Sequence, residues 1–332
     1  MLLEFDADQR LWQSTVRDVV AKRCPPSLVR SVAEDGVDPS PLWKSYVDQG
    51  WTELNNPASA VELAIVFEEL GHATDPTPFL ATMSQFAPLA ADRFEPHESG
   101  TAVYIGVTAY RDAEGWVLDG TARHVLDGDR VDRLAVVTDA GVFIAASNQV
   151  SARRSAVFDP VLHVADLSFN EVRVPDSARL TVDAERAHHI ALTGMAVTMV
   201  GACQRILDLV LEHVRSRQQF GVPIGSFQAV QHKAADMHVA VQRARALAYF
   251  AALTIAADDP RRRLAAAMAK ASAGECQSLA FRHGLQLFGA MGFTWQNDLQ
   301  FALKRAKAGE LMLGGAAEHR ARIAEEYRAA DF

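Results

Sequence analysis

Apolar positions along the chain change their spacing twice. From Leu3 to about Ala90 they recur at every third and fourth residue, as in Leu11, Val16, Val19 and Val20, then Val61, Ala64, Ile65, Phe67 and Leu70. That spacing lays them on one face of successive helices. Breakers separate these helices at Pro25-Pro26, Pro39 to Pro41, Asn55-Asn56-Pro57 and Asp75-Pro76-Thr77-Pro78. From about Thr101 to Val174 the runs are short and strand-like: Ala102 to Val107, Trp116 to Leu118, Leu134 to Val137 and Val142 to Ala146, punctuated by Asp-Gly and Ala-Gly pairs. Val164 to Val174 approximates period-two alternation, and Pro175 stops it. From about Ala184 the helical period returns. One long helix carries Ile190, Met195, Met199, Cys203, Ile206, Val210 and Val214 on one stripe. Others are expected from about Ser226 to Ala257, Arg261 to Gly289 and Glu310 to Tyr327. The pattern predicts an α+β chain: an N-terminal helical domain (1–98), a small antiparallel β domain (99–180) and a C-terminal four-helix bundle (181–332).

Composition narrows the function. A chain of 332 residues, 49% hydrophobic, can bury one large core or two modest ones. Its formal charge of −8 argues against a nucleic-acid surface, which needs Lys and Arg for phosphate. Cys24, Cys203 and Cys276 are widely spaced and form neither a disulfide framework nor a metal knuckle, so a reduced, cytoplasmic setting is expected. The acidic start from Met1 to Arg10 does not read as a signal peptide, and no apolar stretch reads as membrane-spanning. His124, His188, His189 and His232 show no metal-ligand spacing with a further ligand.

The segment Arg217-Gln218-Gln219-Phe220-Gly221-Val222-Pro223-Ile224-Gly225-Ser226-Phe227-Gln228, continuing through Ala234-Ala235-Asp236-Met237, resembles the acyl-CoA dehydrogenase family. Gln286-Leu287-Phe288-Gly289-Ala290-Met291-Gly292-Phe293 is similar to that family's Gln-x-x-Gly-Gly-x-Gly-Phe, with Ala290 in place of one glycine. Glu68-Glu69-Leu70-Gly71 and Val172-Arg173-Val174-Pro175 resemble a helix end and the end of the β domain, and the order of the three zones is also the family's. The resemblance implies an FAD contact set. Arg217 and Gln228 would reach the pyrophosphate, Phe220 would face the adenine, and Gln286, Gly289 and Ala290 would let backbone approach the adenosine. A guanidinium fork suits paired phosphate oxygens, and small residues suit close backbone approach. In the family these groups contact the FAD of a neighbouring subunit. Each residue also has a plainer reading: Arg217 on helix C-terminal carbonyls, Phe220 as core, Gly289 as a helix stop.

The departures from the family are as informative. Its dehydrogenation uses a carboxylate to take the α-proton of an acyl thioester. Of the two places where the family puts that Glu, one corresponds to Leu313-Gly314-Gly315-Ala316-Ala317, with glycine where the carboxylate should be, and the other to Ala191. The CoA-contacting Asp-x-x-Arg reads His189-Ile190-Ala191-Leu192, and the loop between Tyr110 and Gly115 is largely deleted, leaving nothing shaped to hold an isoalloxazine ring. Glu185, Glu310 and Glu318 stand near these helices as displaced carboxylates or as exposed helix charges. The resemblance therefore implies a shortened subunit of an actinobacterial α2β2 acyl-CoA dehydrogenase acting on steroid- or lipid-derived thioesters. It would complete the FAD site of a catalytic partner. A self-sufficient homotetrameric dehydrogenase and a flavin-free scaffold are the alternatives.

Overall fold

The computed structural model describes residues 4–113 and 115–329; Leu3, where the first helical zone was expected to begin, lies outside them. Four helices come first: α1 (Ala7–Arg23), α2 (Pro26–Asp35), α3 (Ser40–Asp48) and α4 (Ala60–Ala73). Pro26 and Pro41 sit inside the first turns of α2 and α3, where a missing N–H leaves no bond unmade. A short run follows, α5 (Phe79–Ala81), a π turn (Thr82–Phe86) and α6 (Ala87–Ala90). The strands are β1 (Gly100–Val103), β2 (Val107–Arg111), β3 (Trp116–Leu126), β4 (Arg133–Thr138), β5 (Gly141–Ala146), β6 (Ser151–Arg154), β7 (Val164–Val174) and β8 (Arg179–Leu180). Then come α7 (Ala184–Ser216), the ladder of β9 (Gln218–Gln219) and β10 (Val222–Pro223), α8 (Gln228–Ala256), α9 (Arg262–Phe288), α10 (Leu299–Leu311) and α11 (Ala316–Ala329).

The chain divides into two compact units. One holds Met1–Ser31, Pro57–Asp75 and Leu192–Phe332; the other holds Val32–Asn56 and Pro76–Ala191. In the second unit, sheets β1-β4-β5-β8 and β2-β3-β7-β6 share a core that includes Leu118, Leu134, Phe143, Leu167 and Phe169. The pairs are antiparallel, as expected of the β domain, except β1 with β4, which run parallel. β7 keeps its expected alternation over Ala165 to Phe169 and again over Val172 to Val174. β2 joins β3 through a tight turn closed by the Asp112 N–H donating to the Gly115 carbonyl at 2.9 Å.

The first unit is built around α7, which is buried on every side from Ala191 to Cys203. By length and composition α7 could cross a bilayer, contrary to the sequence reading. Yet 83% of its most apolar window is buried inside the protein, as in a core helix. α4 and α7 approach so closely at Gly71 and Gly201 that a Cβ on either would overlap the other helix's backbone, at Thr198 and Glu68 respectively. At the same level Glu68 is buried. Its Oε1 accepts from the Arg245 guanidinium at 2.7 Å, and its Oε2 accepts from the Tyr249 hydroxyl at 2.9 Å. Arg245 also donates to Gln204, Gln204 to Asp208, and Asp208 faces His72 at 2.9 Å. Leu11, expected on the buried face of α1, is 68% exposed, while Val16 and Val20 are buried. The helix expected from Glu310 to Tyr327 is two helices, α10 and α11, parted at Met312 to Gly315, where Leu313 and Gly314 take positive φ.

Candidate functional site

The end of α7 turns straight into a hairpin. The Arg217 N–H donates to the His213 carbonyl at 2.8 Å and the Ile224 N–H to the Arg217 carbonyl at 2.9 Å. Between them Val222 pairs with Gln219, and the two residues at the tip, Phe220 (φ 56°) and Gly221 (φ 81°), are both left-handed. A two-residue loop of this kind needs positive φ at both central residues. Glycine adopts it freely, whereas a phenylalanine there is uncommon and strained. The Phe220 side chain is 91% exposed and touches Phe227 edge-on at 6.1 Å between centroids. It is not a core residue. Gly225 lets the chain pass close to α7, since a Cβ there would stand 2.9 Å from the Val214 carbonyl oxygen.

The second motif meets this end of α7 through an aromatic stack. The His213 imidazole lies over the Phe288 ring, 4.4 Å between centroids and 12° from parallel. That contact brings the C-terminus of α9, with Gln286, Gly289 and Ala290, beside the Arg217 hairpin. Burial and then the Arg217 charge lower the His213 pKa, so the ring is neutral near pH 7. Gly289 is both a helix stop and an opening. It has φ 60° and ψ −142°, its N–H closes α9, and an added Cβ would meet nothing within 4 Å. Arg217, Gln228, Gln286, Gly289 and Ala290 are all exposed. No hydrogen bond or ion pair among the described residues holds the side chains of Arg217, Gln228 or Gln286, so Arg217 does not cap carbonyls of its own helix. Phe293 (76% exposed) and Trp295 continue the apolar surface beyond Gly289. Sequence reading missed His213; its only signal was a ring-bearing polar residue one turn before Arg217.

The two positions where the family carries its carboxylate differ sharply. Ala191 is fully buried in α7. At the α10–α11 turn, Gly314 has φ 88°, and its carbonyl accepts from the Lys270 ammonium at 2.7 Å. Lys270 is itself fully buried, and burial brings its pKa down to about 8. Glu310 Oε1 accepts from the Ala316 N–H at 2.9 Å, and Glu310 Oε2 is buried against Gly274. His319, also fully buried, has its Nε2 2.8 Å from the Leu313 carbonyl and so donates to it. Glu318 pairs with Arg322 at 2.6 Å on the exposed side of α11, and the Glu185 side chain is 66% exposed. The break between α10 and α11 means that Glu310 and Glu318 do not flank Gly314 on one continuous helix. Glu310 instead pins the turn.

Residues 181–327 match the family model for the acyl-CoA dehydrogenase C-terminal domain. Acyl-CoA dehydrogenase IpdE2 of Mycobacterium tuberculosis is 32% identical over 333 residues, covering 96% of this chain and 97% of the relative. The chain belongs to the acyl-CoA dehydrogenase family. Among solved structures, the ChsE4-ChsE5 complex from Mycobacterium tuberculosis superposes with a TM-score of 0.88 at 23% identity, covering 100% of both chains. The Tcur3481-Tcur3483 steroid ACAD gives 0.85 at 22% identity, covering 97% of this chain and 98% of that one. These two likenesses establish the acyl-CoA dehydrogenase fold over the full length of the chain.

Proposed function

We propose that this chain is the non-catalytic subunit of a heteromeric, FAD-dependent acyl-CoA dehydrogenase, and that it lends its Arg217 face to a flavin site completed by a catalytic partner. The observation that carries the proposal is the uncommitted donor set of Arg217, Gln228 and Gln286 around an open Gly289, at one exposed end of the helical unit. These residues fit a dinucleotide. Arg217 offers paired N–H donors to a pyrophosphate, Phe220 offers a bare ring to an adenine, and Gly289 and Ala290 leave room for adenosine beside the backbone. When bound, FAD supplies the hydride acceptor for α,β-dehydrogenation of an acyl-CoA thioester. Ala191 and the Gly314 turn offer no general base, so that role falls to the partner.

An α2β2 arrangement fits this division, and the likeness to the ChsE4-ChsE5 complex and to Tcur3481-Tcur3483 supports it. A steroid- or lipid-derived thioester fits the likeness to the Tcur3481-Tcur3483 steroid ACAD. The division into 1–98, 99–180 and 181–332 belongs to the same proposal. So does a cytoplasmic setting, supported by three buried free cysteines.

The test is a flavin absorbance spectrum of the purified chain, alone and co-expressed with its dehydrogenase partner, for wild type and Arg217→Ala. Flavin is expected only in the complex, and Arg217→Ala should weaken its retention by about tenfold or more, the loss of a charge-assisted phosphate contact. Stoichiometric flavin in the lone chain would instead support a self-sufficient homotetramer. Flavin retention indifferent to Arg217 would support a scaffold.

A further inference from the structure

The helical unit holds a second feature that the flavin reading does not use. α1, α2, the C-terminal end of α4, α7 and α10 line a half-open cavity of about 230 Å³, far more than the roughly 15 Å³ that one water needs. Its apolar wall includes Val20, Val29 and Phe301, and Cys24 lies in the floor. Charged groups stand at its edge, and most of them are already spoken for. Arg17 holds Glu69 through two bonds, at 2.7 and 3.2 Å. Arg30 holds Asp298 at 2.6 Å, and His72 faces Asp208 at 2.9 Å.

Arg205 is the exception. It lines the cavity from α7, half-buried, and no hydrogen bond or ion pair among the described residues engages its guanidinium. Asp208, one turn along, feels its charge but is bonded to His72 and Gln204. Arg205 therefore offers the cavity a guanidinium whose donors are free, set over a hydrocarbon wall. A half-buried guanidinium with no partner costs free energy that an anion would recover.

We propose that this cavity binds a small organic carboxylate, with the carboxylate on Arg205 and the apolar body against Val20, Val29 and Phe301. The lining favours a monoanion, because a second negative charge would meet Glu69 and Asp298 with no further free guanidinium among the described residues to receive it. The apolar wall favours a carbon chain over an inorganic ion. Cys24 does not make it a reactive site. Burial raises that thiol's pKa, which keeps it protonated and a poor nucleophile.

The experiment titrates sodium hexanoate into the full-length chain by isothermal calorimetry and by saturation-transfer NMR. A ligand of this size should bind in the millimolar range. Arg205→Gln should weaken it at least about tenfold through loss of the charge-assisted bond. Ala21→Trp, a substitution at an exposed residue of the cavity mouth, should abolish saturation transfer by blocking entry. Circular dichroism of both variants checks that the helices are intact. Inorganic phosphate in place of hexanoate should give no saturable heat. Absence of hexanoate binding to the wild type, equal binding by Arg205→Gln, or equal binding of phosphate would each overturn the proposal.

Discussion

Replacing Lys270 with methionine should flatten the alkaline part of the stability profile. The Lys270 ammonium is fully buried between α9 and the turn that joins α10 to α11, where it donates to the Gly314 carbonyl at 2.7 Å. Burial lowers its pKa from 10.5 to about 8, and the nearby carboxylates of Glu310 and Glu318 offset only part of that shift. Below pH 8 both the folded and the unfolded chain carry the proton, and folding bears the whole desolvation penalty. Between pH 8 and 10.5 the unfolded chain holds the proton more tightly than the folded one, so stability rises with pH. The difference, 10.5 less 8, is worth about 3 kcal/mol at roughly 1.4 kcal/mol per unit. Urea unfolding of wild type and Lys270→Met at pH 7, 9 and 10.5 measures it. Other titrating groups are common to both chains and cancel in the difference. The wild type should gain about 3 kcal/mol on the variant across that window. A constant gap at all three values would refute the burial argument, whatever the size of the gap.

Two further substitutions test the packing around α7. Glu68→Ala strips the buried acceptor from Arg245 and Tyr249, and should lower the unfolding free energy by about 3 kcal/mol or more; a urea titration showing less than about 1 kcal/mol would contradict a working network. Gly201→Ala places a methyl group against the Glu68 carbonyl, so α4 and α7 must separate. Overpacking of this kind costs about 1–3 kcal/mol, read as a fall in the calorimetric midpoint, whereas an unchanged midpoint would mean that the two helices slide apart freely.

The order of helices, strands and helices was legible from spacing alone, because period is a local property. The Arg217 and Gly289 segments were legible only through their resemblance to a known family; spacing did not announce the positive φ of Phe220, Gly221 and Gly289. What spacing missed was set by contacts distant in sequence. The parallel pairing of β1 with β4 joins residues about 30 positions apart with nothing local to announce it. The break between α10 and α11 lay hidden because Leu313-Gly314-Gly315 reads as two weak helix positions until Lys270, Glu310 and His319 are seen to clasp it. Charged residues were the least legible of all. An arginine or lysine on a helix reads as solvated, yet Arg245 is locked to a buried glutamate and Lys270 lies entirely inside. Only after such pairs are matched across helices do Arg217 and Arg205 stand out, one exposed beside an open backbone and one at the edge of an apolar cavity. Each is a cation that the fold positions and leaves without a partner among the described residues. That is why both proposals rest on arginines, and why Arg217→Ala and Arg205→Gln should change ligand retention far more than they change stability.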